Sequence, residues 1–277
     1  RRKLNQDFFG PLIILSLLLP ITINAQVTVG WDAGCDYNES SLSGQIQQAL
    51  NDNNTEIRVT NEQEFVSPFE IDDSVTIKGG YNNCADASSD NQPQNPSVIN
   101  GLGFTQSAIN INTTSAVRDI VIENFEIKNV PNNNDKAAGI TILNSSGQIN
   151  LNHMNIHDNT NDLVGGIAIT HDGLFVGSVL NVDLLDVLVT DNIADFGAGG
   201  IDCLNNANAS INLNVSGDSG VSYNHTGGNG GGISLNNCNL IFSSGTASPS
   251  IQNPLGIHAN TANGFAGGLA ILNTSVA

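Results

Sequence analysis

The sequence is poor in basic residues. Only 8 of its 277 residues are Lys or Arg, against 26 Asp and Glu, so the formal net charge is −18. The basic residues that follow residue 25 are scattered along the chain: Arg58, Lys78, Arg118, Lys128 and Lys136. A surface that binds nucleic acid needs clustered Lys and Arg against the phosphates, so we exclude nucleic acid as a partner. Acidity of this size favours solubility outside the cell.

Aromatic residues are also scarce, at 5% of the chain, which excludes a core built around bulky rings. Stacking aromatics commonly hold sugars, but Trp31, Tyr37, Tyr81 and Tyr223 do not fall on one position of a repeat, so they place no glycan site. In contrast, Asn is abundant and Gly numbers 29, which indicates many turns. The regular recurrence of Ile, Val and Leu argues against a disordered chain.

Long apolar runs are missing except near the start. Basic residues 1–3 precede an apolar run over residues 11–23, and Ala25 is followed by polar sequence. This order is typical of a secretory signal peptide. The alternative is a membrane anchor, but the run is shorter than the ~20 residues of a spanning helix and Pro20 ends it. We therefore predict a signal peptide over residues 1–25 and a secreted or cell-surface protein.

A repeat organises the second half of the chain. Four segments share an aliphatic residue three positions before an Asn, then a polar loop, a Gly-Gly pair and an alternating strand. The Asn positions, spaced 33, 32 and 36 residues apart, are Asn159, Asn192, Asn224 and Asn260. The Gly pairs are Gly165 and Gly166, Gly199 and Gly200, Gly231 and Gly232, and Gly267 and Gly268. A weaker copy lies upstream, where Ile127 precedes Asn129. Recurrence at a fixed period predicts a solenoid.

Each repeat contains about three short segments with period-two alternation and no helical pattern. Three strands per turn fit an all-β fold, a right-handed parallel β-helix whose coils stack about 4.8 Å apart. We expect the repeated Asn side chains to hydrogen-bond from coil to coil as a ladder. We expect the Gly pairs to allow a backbone bend that side chains would block.

The ends of such a stack need caps. Residues Leu42, Ile46, Ala49 and Leu50 lie at helical spacing, and Ser41 or Ser43 can cap the start, which predicts a short amphipathic helix at the N-terminal end. The predicted organisation is a cap over residues 26–55 and a β-helix over residues 56–277. The last repeat is interrupted at Ala277, so we expect the intact protein to continue.

Specific motifs support a family resemblance over residues 30–277. The segments C35-DY, I57-RV and V75-TIKGGYNNC resemble the N-terminal region of secreted right-handed β-helix proteins of pectin-lyase-like fold. The GGI and GGL strands with their upstream Asn resemble repeats of the chlamydial polymorphic outer-membrane protein family, whose motifs are GGA[ILV] and FxxN. Here Ile or Leu follows Gly-Gly and an aliphatic residue replaces Phe, so the match is to the broader repeat group. The resemblance implies a passenger-like role in adhesion or surface display.

The chain has four cysteines, an even number that suits disulfides outside the cell. We pair Cys35 with Cys84 because both flank the predicted cap. Cys203 and Cys238 are about one repeat apart, but their offset from the Gly pairs differs by three residues, or about 10 Å along a strand. That offset exceeds the reach of a disulfide unless the chain bends, so this pairing stays open. No CxxC or Cys/His cluster indicates a metal site.

No constellation of residues predicts catalysis, and we expect no cofactor. Asp158 and Asp191 both precede a ladder Asn and could stack about 5 Å apart. They are interpreted as solvated turn acids, with a weak calcium site or a hydrolase pair as alternatives. A lyase would use a basic residue beside acidic ligands, and its nearest candidates lie in residues 118–136: Arg118, Asp119, Glu123, Lys128 and Lys136.

Three functional hypotheses follow, because fold alone does not decide function. The first is an exported, non-catalytic scaffold resembling an adhesin passenger, with an extracellular glycan or a host or cell surface as its partner. Outer-membrane attachment would then require a region beyond Ala277. The second is a polysaccharide lyase or glycoside hydrolase of pectin-lyase-like fold. The third is a glycan-binding module.

Overall fold

The structure is a computed structural model that describes residues 26–38, 44–91, 95–113, 117–131, 135–171, 177–206, 209–243 and 256–272. Its strands form four sheets in which neighbours run parallel, and the described residues contain two short helices. The all-β parallel solenoid predicted from the repeats is confirmed. The predicted signal peptide lies outside the described residues. No helix within the described ranges is long and apolar enough to cross a bilayer.

The four sheets run along the length of the solenoid. Sheet A has nine strands, in order Tyr37–Asn38, Gln26–Gly30, Glu56–Thr60, Val75–Tyr81, Val117–Glu123, Ser146–Asn152, Val179–Leu185, Ser210–Ser216 and Asn239–Phe242. Sheet B has six strands, Ser97–Asn100, Phe125–Lys128, Asn155–His157, Leu188–Thr190, Gly220–Ser222 and Gly256–His258. Sheet C has seven strands, Phe69–Ile71, Ile109–Asn112, Ile140–Leu143, Ile167–His171, Ile201–Asn205, Ile233–Asn236 and Leu269–Leu272. Sheet D has four strands, Thr160–Asn161, Ile193–Ala194, His225–Thr226 and Thr261–Ala262.

One coil visits the sheets in the order A, B, D and C. Ser146–Asn152 lies in sheet A, Asn155–His157 in sheet B, Thr160–Asn161 in sheet D and Ile167–His171 in sheet C. The chain then returns to sheet A at Val179–Leu185. The sequence predicts about three strands per repeat, and the structure adds the two-residue strand of sheet D directly after each ladder Asn.

The core is a column of aliphatic side chains rather than a single centre. In sheet A, Ile149 pairs in register with Val182, which pairs with Leu213. In sheet C, Ile167 pairs with Ile201. All five side chains are buried, because alternate residues of every strand point inward. β-Branched residues suit these positions, since they pack well on a pleated surface.

The outer face of sheet C is covered, which the sequence pattern does not predict. Ala137, Val164 and Ala168 form a second, smaller apolar cluster outside this sheet. The polar loops that precede the Gly pairs fold over the strands, and Ala137 forms a parallel bridge with Val164. The Ala137 amide donates to Oγ1 of Thr141 at 3.0 Å. Thr141 and Ala168 on this outward face are therefore buried.

The predicted capping helix is present as α1, Gln45–Asn51, which buries Ile46 and Ala49 against the core. Gly44 stands at its N-cap in the left-handed region (φ 62°) and no side chain caps the helix. The two serines predicted as caps lie outside the described residues. Gln26–Gly30 pairs in parallel with Glu56–Thr60, so sheet A already includes the start of the segment predicted as a cap.

A second helix, α2, spans Cys84–Ser89 and was not predicted. The Asn83 side chain caps it by accepting from the backbone nitrogen of Asp86 at 2.9 Å. Asn before a helix with an acid in the first turn is a common N-terminal pattern, so the sequence did contain a signal. Because α2 has fewer than two turns, hydrophobic periodicity could not reveal it.

Candidate functional site

The repeated asparagines stack on one another inside the solenoid. Oδ1 of Asn192 accepts from Nδ2 of Asn159 at 3.0 Å, and the same bond joins Asn192 to Asn224 and Asn224 to Asn260 at 3.0 Å each. Asn159, Asn192 and Asn224 are fully buried. A buried amide is stable only when its polar atoms are paired, and here the neighbouring coils provide the partners.

Each ladder amide also holds the coil before it. Nδ2 of Asn192 donates to the carbonyl of Ile156 at 2.9 Å. The ladder ends at Val130, whose backbone nitrogen donates to Oδ1 of Asn159 at 3.0 Å. The upstream copy assigned to Asn129 was therefore misplaced by one residue. Asn129 has φ 57° and occupies the left-handed position that precedes the ladder.

The Gly pairs stand where successive coils approach closely. None of the eight glycines has a positive φ, so space, rather than left-handed backbone, requires glycine here. A β-carbon on Gly165 would lie 2.6 Å from the carbonyl oxygen of Gly199, and one on Gly199 would lie 2.6 Å from that of Gly231. In the last described coil only Gly268 has room, because a β-carbon there would meet only Ile257, at 3.7 Å, whereas one on Gly267 would lie 2.5 Å from the carbonyl oxygen of Asn260.

Two disulfides include all four cysteines. The predicted Cys35–Cys84 disulfide forms, with α-carbons 5.2 Å apart, and it joins the first strands to the unpredicted helix α2. Ion pairs also stabilise the region around this disulfide. Arg58 contacts Glu56 at 2.7 Å and Asp90 at 3.4 Å.

Tyr81 adds to this N-terminal cluster by donating to Oδ1 of Asp90 at 2.6 Å. Burial, followed by the Asp90 carboxylate, raises the pKa of Tyr81. The Tyr81 hydroxyl in turn lowers the pKa of Asp90. These groups fix the first coils, so the cluster is structural.

Cys203–Cys238 also forms, with α-carbons 6.2 Å apart. The offset that counted against this pair was measured along a straight strand, and that premise was wrong. Cys203 pairs in register with Leu235, and Asn237 then adopts φ 56°, which turns the chain before Cys238. The bend returns Cys238 to the interior beside the neighbouring coil.

The two acids considered for calcium occupy a strained backbone position. Asp158 (φ 54°) and Asp191 (φ 55°) lie in the left-handed region, which Asn and Asp tolerate better than most residues. Both are exposed, and Oδ2 of Asp158 contacts Nδ1 of His157 at 2.7 Å. Within the described ranges, no group of three or more His, Cys, Asp or Glu is arranged to hold a metal ion. The pair thus gains no further ligand.

A second group of titratable residues lies outside sheet B. We call it the sheet B charge cluster: Glu64, Glu126, Lys128, His157 and Asp158. Nζ of Lys128 lies 3.0 Å from Oε1 of both Glu64 and Glu126. Nε2 of His157 lies 3.3 Å from Oε1 of Glu126. This arrangement brings Lys128, one of the lyase candidates, between two carboxylates.

The cluster is poorly matched to proton transfer. The hydrogen bonds that Lys128 donates to Glu126 and Glu64 raise the pKa of its amine, so the amine stays protonated at neutral pH and is not free to accept a proton. The Asn100 amide and Lys128 lower the pKa of Glu64, which disfavours it as an acid at neutral pH. The chemistry of the cluster therefore favours charge pairing.

The other lyase candidates lie apart from this cluster. Nη1 of Arg118 contacts Asp73 at 3.0 Å. Glu123 lies 3.9 Å from His153, whose other ring nitrogen is 3.3 Å from Asp186. The basic neighbour of Glu123 is therefore His153 and not Lys128.

The Tyr residues named above do not converge on one site. Tyr37 and Tyr81 bond to acids of the N-terminal region, and Tyr223 packs edge-on against His258 with ring centroids 5.6 Å apart. Phe196 and Phe265 are also exposed, at 71% and 74%, the latter in the last described coil.

Comparison with known proteins gave no match: no protein-family model, curated protein or solved structure matches the chain.

Proposed function

We propose that the protein is an exported, extracellular β-helical scaffold that displays a binding surface in the manner of an adhesin, without catalysing a reaction. The observation that carries this proposal is the pair of disulfides, Cys35–Cys84 and Cys203–Cys238, in a stacked solenoid. Disulfides form and persist in oxidising compartments and are rare in reducing ones. The signal-like sequence over residues 1–25 supplies a route to such a compartment.

The structural roles of the repeated Asn and Gly residues support the proposal of a scaffold. Asn192 and its counterparts hydrogen-bond from coil to coil, and Gly199 and its counterparts admit the neighbouring backbone. Their recurrence is thus explained by stacking, with no need for a ligand. A rigid solenoid presents an extended surface, which suits display.

Export is tested by expressing the chain with and without residues 1–25 in a bacterial host that secretes proteins. We expect the longer chain to be cleaved near Ala25, to leave the cytoplasm and to resist thiol alkylation until it is reduced. The shorter chain should stay in the cytoplasm with alkylatable cysteines. Uncleaved, reduced protein in the cytoplasm from the longer chain would disprove the proposal.

A polysaccharide lyase or hydrolase is the second candidate, and the sheet B charge cluster is the observation in its favour. The test is product release from a panel of plant and microbial polysaccharides, comparing the unaltered chain with Lys128→Ala. Lys78→Ala is the matched control, because Lys78 also contacts two carboxylates, at 3.8 Å each. We expect no products from any of the three proteins. Activity lost only in Lys128→Ala would make the enzyme the preferred function.

A further inference from the structure

The outward side of sheet A carries a ladder of amides. In strand Val179–Leu185, buried Leu180, Val182 and Leu184 alternate with side chains that point outward. The neighbouring strands continue the sheet in the same register: Ser146–Asn152 on one side, and Ser210–Ser216 and then Asn239–Phe242 on the other. The outward amides of these four strands and the carboxylate among them form what we call the sheet A amide face: Gln148, Asn150, Asn152, Asn181, Asp183, Asn212, Asn214 and Asn239.

The amides of this face hydrogen-bond from coil to coil. Nδ2 of Asn212 donates to Oδ1 of Asn181 at 2.8 Å, and Nδ2 of Asn239 donates to Oδ1 of Asn212 at 2.9 Å. An amide nitrogen carries two protons, so each of these nitrogens keeps a second donor that can bond to a partner. Because the bonds along the face hold the side chains in place, binding a partner costs less conformational entropy.

The amide face is nearly uncharged, although the chain has a net charge of −18. Asp183 is the one charged residue among the outward positions of these four strands, all of which the structure describes. Each oxygen of its carboxylate accepts a hydrogen bond, from Nε2 of Gln148 at 2.9 Å and from Nδ2 of Asn214 at 2.5 Å. Like charges repel, so two copies of an acidic chain approach most easily where their surfaces carry no charge.

Charged side chains at the rim of the amide face contact groups of opposite charge or a histidine within the chain. Asp186, at the corner beyond Val179–Leu185, lies 3.3 Å from Nε2 of His153, and Glu123 lies 3.9 Å from the other ring nitrogen. A charged rim around an uncharged centre is the usual arrangement of a protein interface.

Two aliphatic side chains are exposed at the two ends of the central strand of this face. Val179 is 47% and Leu185 is 39% exposed, although a strand pairs on either side of theirs. Val117, two strands away and also on the outward side, is 73% exposed. Exposed aliphatic groups beside uncharged amides give a partner apolar surface to bury.

Repeat and area indicate that the partner is a second copy of this chain. The amides recur at the coil spacing of about 4.8 Å, and a partner can meet every amide in the same way only if its own groups recur at that spacing. The same face of a second copy has this spacing, and paired β-stacks with Asn ladders associate in this manner. The outward side of sheet A from Glu56–Thr60 to Asn239–Phe242 covers roughly 700 Å², slightly below the roughly 800 Å² per partner of a standard interface. We therefore expect a reversible dimer.

We propose that the sheet A amide face binds the same face of a second copy, so that the protein forms a two-fold symmetric dimer. The amides of the two copies hydrogen-bond across the interface, and Val179 and Leu185 lose their exposure to water. Each residue of such an interface occurs twice in it, so one substitution removes two contacts. This inference goes beyond the proposed function and does not depend on export, because association is measured on the purified chain.

The test is sedimentation equilibrium of the disulfide-bonded chain over micromolar to near-millimolar concentrations. We expect a monomer–dimer equilibrium that shifts toward the dimer as salt is added, because salt screens the repulsion between two acidic copies. Leu185→Asp should raise the dissociation constant more than about tenfold, since it places a negative charge in each half of the interface. The matched control is Leu102→Asp, which makes the same change at a residue that is 70% exposed outside sheet A. The control should dimerise as the unaltered chain does.

A second pair of variants guards against damage to the fold, because Asp is unfavourable in strands. Leu185→Ser adds no charge, and Ser216 already occupies the paired position of the next strand. It should weaken the dimer by a smaller factor than Leu185→Asp does, whereas Leu102→Ser should leave it unchanged. Thermal unfolding of each variant measures whether the fold is intact.

Three results would overturn the proposal: a monomer at every concentration, equal weakening by the Leu185 and Leu102 substitutions, or a dimer that added salt dissociates. The last would indicate an interface of paired charges instead of amides. Export is measured separately by fractionation, so an exported protein that remains monomeric contradicts this interface alone.

Discussion

Oδ1 of Asn192 accepts two hydrogen bonds from Asn159, one from the backbone nitrogen at 3.2 Å and one from Nδ2 at 3.0 Å. Both residues are fully buried, although 33 residues separate them. One amide thus satisfies the backbone and the side chain of the preceding coil. The stacking of coils depends on this repeated contact.

Asn192→Ala should lower the free energy of unfolding by about 3 kcal/mol, because it removes the side-chain acceptor of the buried Asn159 backbone nitrogen and one interior hydrogen bond each from Ile156 and Asn224. The control is Asn181→Ala, which removes one exterior bond, from Nδ2 of Asn212 at 2.8 Å. We expect the control to cost less than about 1 kcal/mol. Urea unfolding measures both. Equal costs would show that the buried ladder contributes nothing beyond an ordinary surface bond.

Gly200→Ala should destabilise the protein by about 2 kcal/mol or prevent folding, because its β-carbon would lie 2.5 Å from the carbonyl oxygen of Gly232 and 2.8 Å from Cγ1 of Val221. Gly268→Ala is the matched control, since its nearest contact would be 3.7 Å away. Neither glycine has a positive φ, so the two variants differ in space alone. Thermal unfolding midpoints that are lowered equally would contradict the close-approach explanation.

Replacing both Cys203 and Cys238 with Ala should lower the free energy of unfolding by about 4 kcal/mol, because the disulfide closes a loop of 35 residues in the unfolded chain. When both proteins are oxidised, the variant should be less stable than the unaltered chain. When both are in enough reductant to open this disulfide, their stabilities should be equal. Denaturant unfolding with and without reductant measures it. A loss that persists unchanged in reductant would instead indicate damaged packing.

Asp202→Asn should stabilise the protein at neutral pH. Asp202 lies on the covered outer face of sheet C, between Ala168 and Ser234. Burial raises its pKa above the usual 3.8, and the Ser234 hydrogen bond and Lys136 oppose this only in part.

The sign of the pH effect follows from that raised pKa. The folded state binds the Asp202 proton more tightly than the unfolded chain does. The contribution of the protonated carboxyl to the free energy of unfolding is therefore fully present below pH 3.8, and it is lost as pH rises through the pKa of the folded state. The advantage of Asn should therefore be absent at low pH and grow above about pH 4. Asp191→Asn at an exposed turn is the control. Urea midpoints measured across this range would refute the prediction if the advantage of Asp202→Asn did not change with pH.

Much of the architecture could be predicted from residue spacing. The spacings between Asn192, Asn224 and Asn260 change from repeat to repeat together with the spacings between their Gly pairs. This indicates a repeated coil, since each coil must have the same alternation of inward and outward side chains. Helix α1 was also predictable, because it buries Ile46 and Ala49 from one face. These features are local or strictly periodic, so they are visible in one dimension.

Features that depend on contacts between coils were not predictable. The turn at Asn237 brings Cys238 to Cys203, although a straight strand would have kept them apart. The ladder ends at Val130 rather than at Asn129, because the left-handed backbone at Asn129 decides which residue faces the interior. The covered face around Asp202 likewise depends on loops folding back over sheet C.

The sequence by itself determined the class of fold, the period of the coil and the candidate disulfide residues, because hydrophobic alternation and Gly-Gly spacing are properties of the chain. Only the tertiary structure decided which side chains meet. It placed Lys128 between two carboxylates and brought Cys238 beside Cys203. The physical reason is that residues about 33 positions apart become neighbours only once the coils stack, and a shift of one residue at a turn reverses which side chains are exposed.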